Sequence, residues 1–104
     1  MKTLHYKLVR DRIPEIIEEA GKTHQTTIVD GEDLKKAALK KLLEEAMEFV
    51  ENPSAEEAAD IIEILYFILG REGITDAQVM AAATVKRIKR GGFNMGYLLE
   101  WVEE

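Results

Sequence analysis

A chain of 104 residues has room for one domain around a modest core, and its formal charge of −6 excludes duplex nucleic acid as the main partner, because neutralising phosphates needs a basic surface. Hydrophobic residues at 46% and charged residues at 33% exclude a disordered chain, and the absence of Cys excludes disulfides and fits a reducing, cytoplasmic setting. The longest apolar run, Ile61–Leu69, is broken by Glu63 and is too short for a bilayer, while Met1–Arg12 turns charged before a signal sequence could develop, so no membrane association is expected.

Four helices are legible in chain order. Pro14, in a first turn, opens a short helix that Gly21 closes. Thr23–Val29 is β-branched and polar and reads as an extended connector. Asp30 caps a second helix running to about Glu51, where Asn52-Pro53 stops it. Ser54 and Glu57 have capping-box spacing for a third helix, ending near Gly70 or Gly73. Thr75 and Gln78 repeat that signal for a fourth, which runs to about Arg90 before Gly91-Gly92. A last turn around Leu98–Val102 would make a fifth. The expected fold is therefore all-α: one domain over residues 1–104, a four- to five-helix bundle with an antiparallel central hairpin, completed by homo-oligomerisation as a dimer or tetramer.

Helical projection exposes carboxylates in unusual places. With Leu34 at zero, the apolar residues of the second helix fill an arc from about 40° to 180°. Glu45 falls at about 20°, inside the stripe, and Glu48 on its border at about 320°. Glu44, at about 280° near Lys40, Lys41 and Glu51, has the position of an ordinary solvated Glu. From Ala58 to Leu69 the only charges are Asp60 and Glu63, with apolar residues all round, so the third helix is expected to be buried on most of its circumference. A buried Asp60 then needs a cationic partner. Across the tight Asn52-Pro53 turn, Glu48 faces Glu57 and Glu45 faces Asp60, each pair equidistant from the turn. Four acids converge, and an oxygen-only ligand set of this kind suits Mg²⁺ or Mn²⁺. Glu63 stands beside them, to brace a ligand or to form a salt bridge.

Leu43–Glu48 followed by Glu56–Asp60 resembles the EExxE and ExxD elements of the all-α nucleoside triphosphate pyrophosphatase superfamily, the MazG-like proteins. Lys7–Glu15 and Lys86–Phe93 are similar to its phosphoribosyl-ATP pyrophosphohydrolase-like branch. The resemblance spans nearly the whole chain. It implies Mg²⁺-dependent cleavage of a nucleoside triphosphate to monophosphate and pyrophosphate, with Glu45, Glu48, Glu57 and Asp60 as metal ligands. Two departures stand out: the segment between Glu48 and Glu57 is short, and Tyr6 stands where that branch commonly carries Asn.

Glu45 or Glu48, if not fully used by the metal, can accept the proton of an attacking water, which makes both candidate catalytic residues. An acidic cluster repels a triphosphate, so counter-charges are required: Lys7, Arg10 and Arg12 form one candidate phosphate-binding set, Lys86 and Arg90 the other. Basic residues in a last helical turn also complement the macrodipole. Phe93, Tyr97 and Trp101 can stack on a nucleotide base, but their spacing is more often that of a core or an oligomer interface. The leading expectation is a house-cleaning nucleotide pyrophosphohydrolase. The alternatives are the phosphoribosyl-ATP pyrophosphohydrolase of histidine biosynthesis and a non-catalytic, metal-stabilised oligomerisation or regulatory module.

Overall fold

The computed structural model describes all residues, Met1–Glu104, and every regular element in it is a helix: α1 (Ile13–Glu19), α2 (Gly31–Glu51), α3 (Ala55–Arg71) and α4 (Asp76–Arg90). None is long and apolar enough to cross a membrane. The chain divides into two compact units, Met1–Glu72 and Gly73–Glu104.

Local chemistry sets the helix ends. Pro14 lies in the first turn of α1, where a missing N–H costs nothing. The chain leaves α1 through Gly21 at φ +75°, a conformation that glycine adopts without a Cβ clash. Asp30 occupies the N-cap of α2 as expected, but its side chain makes no capping bond, so it acts with Glu32 and Asp33 only through charge on the helix N-terminus. Ser54 caps α3 by accepting the Glu57 N–H at 3.2 Å. Its counterpart Thr75 goes further: Thr75 accepts the Gln78 N–H at 3.1 Å, and the Gln78 side chain accepts the Thr75 N–H at 2.8 Å.

In the first unit α2 packs on α3. The Arg71 guanidinium donates to the Gly31 carbonyl at 3.2 Å, and Lys35 pairs with Glu72 at 3.1 Å, tying the start of α2 to the end of α3. The core between them is small: Ala38 is 1% exposed and Ile64 is 9% exposed. The all-round burial expected of α3 is absent within the chain. Ile62 and Phe67 remain exposed, because one neighbour can cover only one stripe of a helix. His24 accepts no functional assignment. Its ring bonds Glu18 at 2.9 Å and Thr26 at 2.8 Å, pinning the connector to α1.

Residues 1–10 carry no regular structure, and Tyr6 sits at φ +46°. Asn tolerates that left-handed region far better than Tyr, so the backbone there carries a local strain.

In the second unit, α4 ends at Gly91, at φ +80°. The fifth helical turn expected at Leu98–Val102 does not form. Leu98, Trp101 and Val102 stay exposed, and an isolated turn cannot offset its nucleation cost without packing.

Candidate functional site

The acids gather where α2 faces the first turns of α3. Oxygens of Glu45, Glu57 and Asp60 lie within 4.8 Å of one another, and so do those of Glu44, Glu45 and Glu48. Glu45 belongs to both trios and is the hinge of the site. All four expected ligands are thus brought together, but in two overlapping groups joined at Glu45, not as one ring.

Glu45 is 6% exposed. Its Oε1 meets Lys41 Nζ at 3.2 Å, whereas its Oε2 is buried and has no hydrogen-bond partner. Glu57 Oε2 is likewise buried and unpartnered. Ser54 uses the Glu57 N–H for its cap, and the Glu57 carboxylate makes no return bond, so capping does not account for this side chain. A buried oxygen left unpaired costs about 1–3 kcal/mol, more when charged. Two such oxygens in one cluster fit a hard divalent cation.

Asp60 corrects an expectation. It is not buried: its side chain is 39% exposed, and its cationic partner is a residue of the chain, Arg10, whose Nη2 lies 2.7 Å from Oδ1. The other Arg10 nitrogen lies 3.9 Å from Glu63, which is therefore a flanking salt-bridge partner. Glu44 corrects another. It is half-buried and pairs with Lys7 at 3.2 Å and Lys41 at 3.4 Å. Burial works to raise its pKa, but the hydrogen bond from Lys7 and the attraction of Lys41 and Lys7 prevail and hold it below the ordinary carboxylate range.

Lys41 is the residue of this cluster that the sequence reading does not single out. Its side chain is only 16% exposed and reaches both Glu44 and Glu45. Burial pushes the ammonium pKa down, yet the hydrogen bond to Glu45 and the charges of Glu44 and Glu45 outweigh it and raise the value. The signal was available. Lys41 projects at about 340°, between Glu48 and Glu45, one turn before both acids it bonds. Glu48 is shifted up, first by its hydrogen bond with Glu45 and then by that residue's charge, with burial and the charges of Glu57 and Glu44 adding. A carboxylate shifted in this direction suits a proton acceptor.

The expected phosphate-binding residues divide. Lys7 and Arg10 reach the acids of the site, while Arg12 turns back to Glu15 of α1 at 3.1 Å. All three are engaged by the protein's own carboxylates. In the second unit, Lys86 and Arg90 are exposed and enter no ion pair. Lys86 borders a shallow groove of about 390 Å³ lined otherwise by Ile74, Gln78, Val79, Ala82 and Ala83. Such a lining offers a phosphate one cation and little else.

Compared with protein-family models, curated proteins and solved structures, the chain matches none.

Proposed function

We propose that the chain is an Mg²⁺-dependent nucleotide pyrophosphohydrolase that cleaves a nucleoside triphosphate to monophosphate and pyrophosphate. The observation that carries this reading is the pair of buried, unpartnered oxygens on Glu45 and Glu57, inside a cluster with Asp60. Glu45, Glu48, Glu57 and Asp60 would hold the ion, which when bound supplies charge neutralisation and activation of water. Glu48 is the proton acceptor in this reading, its affinity for a proton raised by Glu45. Lys7 and Arg10 offer positive charge at the edge of the cluster for phosphate oxygens. The likeness of Leu43–Glu48 and Glu56–Asp60 to the MazG-like elements supports the substrate class.

The test is phosphate and pyrophosphate release over a panel of nucleoside triphosphates plus phosphoribosyl-ATP, with Mg²⁺ and with EDTA. Turnover with Mg²⁺ alone is the expected result. Turnover of phosphoribosyl-ATP and nothing else would move the enzyme to histidine biosynthesis. No turnover of any substrate would leave a metal-stabilised, non-catalytic module, the reading favoured by the engagement of Lys7, Arg10 and Arg12 with the protein's own acids.

The same reading takes α2 and α3 as an antiparallel hairpin that a second copy completes, as a homodimer or homotetramer. The apolar arc of α2 is wider than α3 covers: Ala38 and Glu45 are buried, while Leu39, Leu43, Met47 and Val50, at i, i+4, i+8 and i+11, remain exposed. Leu43 is 67% exposed in the middle of this stripe. Spacing of that kind suits another helix. Sedimentation is expected to find an oligomer that Leu43→Glu dissociates; a wild-type monomer would refute the assembly.

A further inference from the structure

The segment ahead of α1 has no regular structure, yet two of its side chains are held on the acidic site. Lys7 pairs with Glu44 at 3.2 Å. Arg10 pairs with Asp60 at 2.7 Å. Each acceptor shares a trio with Glu45. The two layers of the site differ sharply in exposure. Arg10 and Asp60 are 54% and 39% exposed, the regime in which an ion pair contributes little and exchanges readily. Glu45 beneath them is buried, with one oxygen lacking any partner. An open, weak pair therefore shares its acceptor with a closed site that calls for a cation.

We propose that residues 7–10 form a displaceable strap, in which Arg10 occupies Asp60 until a divalent cation takes that carboxylate, and the released guanidinium then becomes available to the phosphate groups of the substrate. This deepens the metal reading given above and rests on it. The driving force is elementary electrostatics. A guanidinium 2.7 Å from Asp60 Oδ1 lies within a few ångströms of any cation that oxygen binds, and like charges at such range repel. Release solves two problems at once. The cation gains a ligand, and a positive charge is freed beside a cluster that would otherwise repel a polyanion. The opposing term is small because the pair is solvated on both sides.

Mn²⁺ alone is a sufficient probe, with affinity read by calorimetry on the full chain. Arg10→Gln is expected to bind Mn²⁺ about fivefold more tightly than wild type, or about 1 kcal/mol. Arg10→Lys should stay near wild type. Lys36→Gln controls for net charge, since Lys36 is exposed and forms no ion pair. Saturating Mn²⁺ should also speed tryptic cleavage of wild type after Lys7 several-fold relative to cleavage after Lys2. Affinity of Arg10→Gln no higher than that of Lys36→Gln, or cleavage after Lys7 unmoved by bound Mn²⁺, overturns the strap and leaves the metal site standing. Absence of Mn²⁺ binding in every variant overturns both.

Discussion

Glu45→Gln should lose most of the thermal stabilisation by Mg²⁺ while its metal-free form melts at or above the wild-type temperature. Glu45 is the only acid common to both trios and the most enclosed, so no other carboxylate can take its place. Removing a ligand from the ion should cost at least the roughly 10–100-fold in affinity that the loss of an outer partner costs. Wild type at ten times its dissociation constant gains about 1.4 kcal/mol, worth about 5–10 °C for a domain of this size. Without metal the same substitution relieves the protein. The amide removes the charge of a buried carboxylate, one oxygen of which has no partner. Lys41 keeps Glu44 at 3.4 Å. A metal-free variant that instead loses more than about 2 kcal/mol would make Glu45 one half of a structural ion pair. Asp60→Asn is the weaker test, because Asp60 is open and its Arg10 pair contributes at most about 1 kcal/mol.

The four helices were legible because their ends are written in local chemistry: Pro14, Asn52-Pro53, Ser54, the Thr75–Gln78 box and Gly91 act within a few residues of themselves. Where the outcome depended on what lay across space, the sequence was silent. The Leu98–Val102 turn had the right composition but nothing to pack on. The apolar circumference of α3 said that the helix seeks burial, without saying that this chain covers only one side. The acids followed the same division. Glu45, Glu57 and Asp60 could be placed from helical angles and the short turn, since both are local. The destination of Arg10 could not, because an unstructured segment has no period to project. Lys41 was legible and overlooked: Lys is ordinarily read as a solvated residue, and its long stem let it reach two acids from a position at the stripe's edge.

Lys41→Met should cost the metal-free protein about 2–3 kcal/mol, or roughly 10–20 °C, and Mg²⁺ should recover most of that loss. Methionine keeps the apolar stem and removes only the ammonium, so the experiment isolates charge from packing. In wild type that ammonium is the one cation on Glu45, at 3.2 Å, with the Lys side chain 16% exposed and the Glu side chain 8%. Breaking a fully buried pair costs about 3–5 kcal/mol; the lower figure reflects the residual solvent at Lys41. What remains is a buried carboxylate on Glu45 with no counter-charge, beside Glu48, Glu57 and Asp60. A divalent cation in that position satisfies the same carboxylate, so the variant should be rescued by Mg²⁺ and should bind it more tightly than wild type. Unchanged melting in EDTA would mean that Glu45 does not need Lys41. A loss that Mg²⁺ cannot repair would mean that no cation reaches the site, and the acids would then be a structural cluster held by lysine and arginine alone.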